Sequence, residues 1–223
     1  MTDTVTIDTS HGPLELTSIF HGSVRLGFNN KEIHIDPWSR GDYSSYDKAD
    51  LILVTHPHMD HLDPELIAQL SSDDTILIVN RTSVEKLNDR DPQILKNGET
   101  TEVFDIKIEA IPAYNLVRER SPGVKYHPKG EGNGYILHFG DTKVLIPGDT
   151  EAIPELEALT GIDVAFLPIR LPYTMSGEEA ANLALTFKPK ILIPYHTGGE
   201  KVPTEFHEIM KQHPDIQLKG PLL

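Results

Sequence analysis

The chain contains no cysteine among its 223 residues. Disulfide bonds and thiolate metal sites are therefore excluded, and a bound metal would need imidazole, carboxylate or carbonyl ligands. No apolar run approaches the ~20 residues of a membrane-spanning helix. The N-terminal residues MTDTVTIDTSHG also lack the basic and apolar segments of a secretory signal. We therefore expect a soluble, unprocessed protein of the cytoplasm.

Basic residues are also scarce, because Lys and Arg total 20 against 34 Asp and Glu, a formal charge of −14. A surface of this charge repels nucleic acids and anionic membranes, so we expect neither a nucleic-acid partner nor a membrane span. Residues 112–132 are the exception. This segment carries four basic side chains and only two acidic ones. The basic residues are Arg118, Arg120, Lys125 and Lys129.

The length fits one domain spanning residues 1–223 at least as well as two smaller domains. Its first third has an antiparallel pattern, with strands LELTSIF, SVRLGF and KEIHID and a hairpin turn at Asn29-Asn30. From Ala49 onward, short apolar strands alternate with helices, beginning with DLILVT and a helix over 64–70 that Asp63 caps. Strands TEVFDI and KIEAI, and a short helix around 84–87, follow before the basic segment.

The second half repeats this organisation. Strands GYILHF and TKVLIP form a hairpin, and they precede a helix over 154–159, strand DVAFLP, a helix over 177–187, strand KILIP and a helix over 204–212. Ser176 and Glu179 form a capping box at the second of these helices, 177–187. Antiparallel strands followed by strand and helix alternation predict an α/β protein with mixed sheets.

Three of the apolar strands end in side chains that bind metals. They are LILVTHPH, KVLIPGD and ILIPYH. Because functional sites in layered α/β folds gather at the strand ends, we expect these residues to converge.

The densest of these ends is THPHMDHLD. Pro57 favours extended backbone at His56, so the His56 and His58 side chains lie on one side and can share an ion. Asp60 and His61 follow a turn and face a neighbouring position. A lone histidine more often forms hydrogen bonds than binds a metal, but a cluster of this kind beside a buried strand indicates metal binding. Since a catalytic zinc takes about three protein ligands, Asp149 and His196 are candidates to complete the set.

THPHMDHLD matches the H-x-H-x-D-H signature of the metallo-β-lactamase superfamily. Further segments agree in order between Ser18 and Gly199, namely HIDPW, AIPAYN, IPGDT, FLPI with YTMSGEEAAN, and IPYH. The chain resembles the branch of metal-dependent hydrolases that includes ascorbate-phosphate lactonase-like and phospholipase D-like proteins. The resemblance implies a four-layer αβ/βα sandwich with a metal centre at the strand ends.

The resemblance also implies roles for individual residues. His56 and His58 would bind one metal, and Asp149 would bridge to a second metal. That second metal would be bound by Asp60, His61 and His196. Asp36 would support the metal loop by hydrogen bonds, and His21 would lie near the site.

One position departs from the family pattern, because Asn115 stands where many relatives have a histidine. An amide is a poorer metal ligand than imidazole, so the first site is left without its third histidine. His127 from the basic segment or His21 could supply the missing imidazole. If neither does, one metal would be bound tightly and the other weakly.

The expected function is hydrolysis of an ester, lactone or phosphodiester by a metal-bound hydroxide, oriented by Asp60. One or two divalent ions are implied, with zinc as the default and manganese as the alternative. Arg170 and Tyr114 are candidates to bind a small anionic substrate. A phosphodiesterase acting on nucleic acid or a phospholipid head group is one alternative, and a non-catalytic metal-binding or sensor protein with an incomplete dinuclear site is the other. The oligomeric state is left open.

Overall fold

The computed structural model describes residues 4–87 and 91–220, which form two seven-stranded sheets and a short hairpin. The first sheet contains β1 (Thr4–Thr9), β2 (Gly12–Phe20), β3 (Ser23–Phe28), β4 (Lys31–Ile35), β5 (Ala49–Val54), β6 (Ser71–Val79) and β7 (Gln93–Ile94). The second contains β8 (Thr100–Val103), β9 (Ile106–Ala113), β12 (Gly132–Phe139), β13 (Thr142–Ile146), β14 (Val164–Pro168), β15 (Ile191–Tyr195) and β16 (Gln217–Leu218). The hairpin pairs β10 (Glu119–Ser121) with β11 (Val124–Lys125).

The two sheets have the same organisation. In the first sheet β1 to β4 pair antiparallel, and β5, β6 and β7 add in parallel. In the second sheet β8, β9, β12 and β13 pair antiparallel, and β14, β15 and β16 add in parallel. The mixed sheets expected from the sequence are therefore present. Each sheet also brings the carboxyl ends of parallel strands to one edge.

Alternation along the strands places a core between the sheets. Leu51 and Leu53 of β5 belong to this inner cluster, together with Phe166 of β14, whereas Ile52 and Val54 face the opposite side of their sheet. All five side chains are fully buried. A strand with apolar residues on both faces must be covered on both, and such strands read as continuous apolar runs.

Helices cover the outer faces of both sheets. They are α1 (Pro64–Leu70), α2 (Pro154–Glu157), α3 (Gly177–Phe187) and α4 (Thr204–Met210). Helix α1 packs on the first sheet, and the other three pack on the second. The side chain of Asp63 caps α1, and Ser176 and Glu179 form the capping box of α3. Helix, sheet, sheet and helix form the four layers of an αβ/βα sandwich, which confirms the expected fold class.

Several element boundaries differ from the sequence prediction. The break between β8 and β9 is a turn at Phe104 and Asp105, both with positive φ, rather than a break at residues 106–107. Asp is a common turn residue but Phe is not, and no glycine marks the turn, so composition gave little warning. Strands β1 and β7 were not predicted, and the helix around 84–87 is a 3₁₀ helix over Arg81–Lys86.

The basic segment is more ordered than a loop. It contains the β10–β11 hairpin, and most of its cations are paired with carboxylates. Arg118 contacts Glu151 and Glu179, Lys125 contacts Glu119, and Lys129 contacts Glu155. The segment is therefore largely neutralised within the chain.

None of the helices in the described ranges has the length and apolar character needed to cross a bilayer.

The inner core predicts a large effect of truncation at Leu26, which has no exposed surface. We expect Leu26→Ala to lower the free energy of unfolding by about 2–5 kcal/mol, because it removes buried methyl groups and leaves a cavity. Leu116→Ala is the matched control, since Leu116 is 43% exposed, and should change stability by less than about 0.5 kcal/mol. Chemical denaturation of both variants measures the difference. Equal effects would contradict the placement of Leu26 between the sheets.

Candidate metal centre

The metal-type side chains lie just beyond strand ends at one edge of the sandwich. His56 follows β5, Asp149 follows β13 and His196 follows β15 directly. All three are almost fully buried. The separated segments that end in ligand-type residues thus converge in space.

The first group of nitrogens belongs to His56, His58 and His127. Nδ1 of His58 lies 3.0 Å from Nε2 of His56 and 3.2 Å from Nε2 of His127. Oδ2 of Asp149 lies 3.2 Å from the same His127 nitrogen and 4.0 Å from Nε2 of His56. Three imidazoles and one carboxylate oxygen therefore face a common point. The side chain of Asn115 instead contacts Nδ1 of His127, 2.8 Å from its Oδ1.

The second group contains Asp60, His61 and His196, with His21 beside them. Nε2 of His61 and Nε2 of His196 are 3.2 Å apart. Oδ1 of Asp149 lies 3.3 Å from the first of these nitrogens and 3.0 Å from the second. The carboxylate of Asp149 thus turns one oxygen to each group.

The spacing and chemistry of these atoms fit metal ions. Ligands held about 2.1 Å from a tetrahedral zinc are roughly 3.4 Å apart, close to the separations of the imidazole nitrogens. Oδ1 of Asp149 is buried and has no hydrogen-bond partner in suitable geometry among the described residues. Because a buried polar oxygen without a partner costs free energy, this atom is suited to a cation. The donor set of imidazole and carboxylate suits zinc and manganese.

Outer hydrogen bonds orient the imidazoles. Asp36 accepts hydrogen bonds from the Thr55 amide (2.7 Å) and the Thr55 hydroxyl (2.6 Å), and it lies 2.8 Å from Nδ1 of His61. Since this carboxylate only accepts, Nδ1 of His61 carries a hydrogen, and Nε2 is the nitrogen that would face a metal. The Thr55 hydroxyl donates to Asp36, so it can accept from Nδ1 of His56, 3.0 Å away. The buried carboxylate of Asp36 therefore orients the rings of His61, directly, and His56, through Thr55, so that Nε2 of each ring faces the centre.

His21 lies near the site but has no nitrogen free for a metal. Its Nδ1 accepts a hydrogen bond from the Gly198 amide at 2.9 Å, so the ring hydrogen is on Nε2. Nε2 then donates to Oδ2 of Asp60 at 3.1 Å. The ring also lies against His196, with ring centroids 3.7 Å apart. His21 therefore orients Asp60 and supports His196.

The backbone is strained at three residues of this region. His21, Asp36 and His196 have φ of 54°, 49° and 58°. Positive φ is uncommon for non-glycine residues and costs of order 1–3 kcal/mol at each position. Such strain persists only where the surrounding structure holds it, and it is concentrated at functional sites.

Electrostatics keep most of the imidazoles neutral. Burial lowers the pKa of His56 well below its usual range, and it lowers the pKa of His58 and of His196 to about 4. Neutral imidazole is the form that binds metals, so these rings do not need to lose a proton at neutral pH.

The carboxylates have the opposite influence on His61. Burial lowers the pKa of this ring, but Asp149, Asp36 and Asp60 outweigh burial and raise the pKa to about 9. Burial raises the pKa of Asp149, yet the neighbouring His196 and His61 hold it well below its usual value. The surrounding carboxylates thus favour positive charge at this place, which a divalent ion would supply.

A cavity of about 520 Å³ opens over both groups. Its walls include Arg170 and Tyr173, as well as the aromatic rings of Phe20, Trp38 and Tyr126. Arg40 and Arg120 complete a set of three guanidinium groups in the wall. Pockets of this size accept small molecules.

Tyr114 does not line the cavity, contrary to expectation. Its side chain is buried in the core beneath α3, and its hydroxyl donates to Glu155 at 2.9 Å. Trp38 and Arg40 were missed by sequence reasoning, although they follow Asp36 closely in HIDPWSR. Their position after a strand that ends at the site was the available signal.

Comparison with known proteins identifies the family. A family model described as a beta-lactamase superfamily domain matches residues 15–196. The chain belongs to the beta-lactamase superfamily. A protein of Pyrococcus horikoshii named UPF0173 metal-dependent hydrolase is 31% identical over 209 residues, covering 86% of this chain and 90% of the relative. A Thermococcus onnurineus protein of the same name is 32% identical over 180 residues, covering 75% of this chain and 77% of that one.

Solved structures agree with this assignment. A Parabacteroides distasonis protein, provisionally named a metal-dependent hydrolase, superposes with a TM-score of 0.89 at 43% identity and covers 98% of both chains. A metallo hydrolase from Ignicoccus hospitalis shares the fold, with a TM-score of 0.71 at 22% identity over 92% of this chain and 94% of that one. The chain is thus a member of a family of metal-dependent hydrolases, with a cluster of His and Asp able to bind metal.

The contacts of Asp36 predict a loss of metal affinity in Asp36→Asn. The carboxylate accepts the Thr55 backbone N–H on Oδ1, and it accepts both the Thr55 hydroxyl and His61 on Oδ2. Because an amide has a single accepting oxygen, its NH₂ group would face donors on the other side, so the imidazoles lose their orientation. We expect metal binding to weaken roughly 10–100-fold, measured by calorimetric titration of the metal-stripped protein. Asp8→Asn is the control, since Asp8 is exposed on β1. Unchanged affinity in Asp36→Asn would contradict the role of this carboxylate.

Proposed function

We propose that this protein is a dinuclear metal hydrolase that cleaves an ester, lactone or phosphodiester bond of a small anionic molecule. The observation that carries the proposal is the position of Asp149, whose two oxygens face two separate groups of imidazoles. His56 and His58 would hold one ion, and Asp60, His61 and His196 would hold the other. Zinc is the expected metal and manganese the alternative.

When bound, a divalent ion supplies Lewis acidity, which makes water a nucleophile at neutral pH and polarises the substrate oxygen. Asp60 is suited to handle the proton. Its Oδ2 accepts from His21, and Asp60 also lines the cavity. Oδ1 of Asp60 is therefore available to accept a hydrogen bond from the attacking water and to hold it in line with the substrate.

Charge in the cavity wall supports an anionic substrate. Among the described residues, Arg25 and Arg118 are ion-paired, whereas Arg40, Arg120 and Arg170 have no carboxylate partner within 4.0 Å. In a chain of net charge −14, unpaired guanidinium groups around one cavity are unusual. Guanidinium groups bind carboxylate and phosphate with paired hydrogen bonds.

Surface charge argues against nucleic acid as the substrate. Lys125 and Lys129, which could have formed a basic track beside the cavity, are each paired with a glutamate. The remaining arginines suit one small anion better than an extended backbone. A binding assay with short RNA and DNA at low salt should therefore be negative.

The proposed function is tested by removing the metal and by changing Asp60. The purified protein, stripped and then reloaded with Zn²⁺ or Mn²⁺, should hydrolyse at least one member of a panel of p-nitrophenyl esters, lactones and bis(p-nitrophenyl) phosphate. We expect Asp60→Ala to lower activity by about 100-fold or more, because the substitution removes both a proposed metal ligand and a proton acceptor. Full activity of the metal-free protein would contradict the proposal, as would inactivity of both reloaded forms across the panel.

Arg170 should affect substrate binding more than the chemical step. We expect Arg170→Ala to raise KM for an anionic substrate roughly 10-fold, on the order of one charge-assisted hydrogen bond, with a smaller change in kcat. Arg81→Ala is the matched control, because Arg81 is exposed on the 3₁₀ helix away from the cavity. A neutral ester hydrolysed in the same assay should be insensitive to both variants. Equal losses for neutral and anionic substrates would exclude anion binding by Arg170.

A further inference from the structure

Asn115 stands where a metal-binding histidine was expected, and its side chain is fully engaged by protein groups. Nδ2 donates to Oε1 of Glu151 at 3.0 Å and to the backbone carbonyl of Tyr173 at 2.8 Å. Both partners only accept hydrogen bonds, so the amide orientation is determined. Oδ1 consequently points the other way, toward His127.

The buried carboxylate of Glu151 holds this arrangement in place. It accepts the backbone N–H groups of Leu116, Val117 and Arg118 at 2.8–3.1 Å, in addition to the amide of Asn115. Glu151 is only 3% exposed. A buried carboxylate with this many donors leaves little freedom to the backbone that follows Asn115.

Asn115 in turn determines the state of the His127 ring. Its Oδ1 lies 2.8 Å from the His127 backbone nitrogen and 2.8 Å from Nδ1 of the ring. The backbone N–H of Asn115 also donates to the backbone carbonyl of His127 at 2.9 Å. Because Oδ1 only accepts, the hydrogen must be on Nδ1 of His127. Nε2 then faces Nδ1 of His58 and Oδ2 of Asp149, both 3.2 Å away.

The other candidates for the missing ligand are excluded by their own hydrogen bonds. His21 uses Nδ1 to accept from Gly198 and Nε2 to donate to Asp60. Asn115 uses its oxygen for two donors on His127 and its nitrogen for two acceptors. Of the three side chains, only His127 has a nitrogen free to face the other imidazoles.

We infer that His127 is the third imidazole ligand of the first ion and that Asn115 is its positioning residue. The inference rests on the proposed metal centre and deepens it. In this chain the third imidazole would come from His127 in the following loop rather than from residue 115. The side chain of Asn115 accepts a hydrogen bond from the His127 ring and so fixes its orientation and tautomer. Outer hydrogen-bond partners of this kind typically contribute 10–100-fold to metal affinity.

The test is NMR of protein labelled with ¹⁵N in the histidine rings, titrated with Zn²⁺ after metal removal. We expect Zn²⁺ to shift Nε2 of His127 and to leave the hydrogen on Nδ1 of the loaded protein. His138, which lies on β12 and is paired with Glu109, is the internal control and should not respond. If the His127 signals do not change on addition of two equivalents of Zn²⁺, the ligand assignment is overturned. If the ring hydrogen of His127 is found on Nε2, the role of Asn115 is overturned.

Zn²⁺ affinity of variants provides a second measurement. His127→Ala should lose tight binding of one of two equivalents, and Asn115→Ala should weaken one equivalent roughly 10–100-fold. His213→Ala, which removes an imidazole outside both groups, should bind as the unchanged protein does. Retention of both equivalents at full affinity in His127→Ala would refute the inference.

Failure of this inference can be told apart from failure of the proposed function. Zn²⁺ bound through Nε2 of His127 without hydrolysis of any panel member would refute the hydrolase and leave the inference intact. Zn²⁺-dependent hydrolysis without any change in the His127 signals would support the hydrolase and refute the assignment of His127 as a ligand.

Discussion

A buried carboxylate, Asp149, lies between two groups of imidazoles and turns one oxygen to each of them. Among the described residues neither Lys nor Arg forms an ion pair with it. Charge buried in this way is costly unless it is compensated, and here the partners are rings that burial mostly keeps neutral. A pair of cations would compensate the charge and satisfy both oxygens.

The duplicated sheets explain how the two groups come together. The first sheet delivers His56, His58, Asp60 and His61 after β5, and the second delivers Asp149 and His196 after β13 and β15. Packing of the sheets across the inner core therefore sets the distance between the two sets of candidate ligands. Gly148 permits a close approach to Thr55 of the first sheet, because a Cβ there would lie 3.0 Å from Cβ of Thr55, as well as 2.8 Å from the Asn133 carbonyl. Its φ of 65° also suits glycine.

The α/β class with mixed sheets and the cluster of candidate ligands were accessible from local sequence patterns, whereas the four-layer arrangement was implied by the resemblance to the metallo-β-lactamase superfamily. Apolar runs marked the buried strands, and the spacing of THPHMDHLD marked the metal loop. The completion of the site was not accessible in this way. Whether His127 or His21 faces the imidazoles depends on which nitrogens are already committed to Asn115, Asp60 and Gly198, and those contacts join residues more than ten positions apart.

The cavity wall illustrates the same limit. The basic segment predicted a cationic surface, but Arg118, Lys125 and Lys129 are neutralised by glutamates from within and beyond the segment. Arg120 remains unpaired, and it is joined in the wall by Arg40 and Arg170 from distant positions. The charges counted along the chain predict an anionic substrate, and this stays a prediction. Tertiary contacts decide which side chains are free to bind it.

The most direct test of the account is anomalous diffraction from crystals of the Zn²⁺-loaded protein at the zinc absorption edge. The account predicts two peaks, roughly 3.5–4 Å apart as in two-metal hydrolytic sites, on either side of the Asp149 carboxylate. The peak nearer His56 and His58 should also contact Nε2 of His127. A single peak, or two peaks that do not share Asp149, would contradict the central claim that this carboxylate bridges two ions.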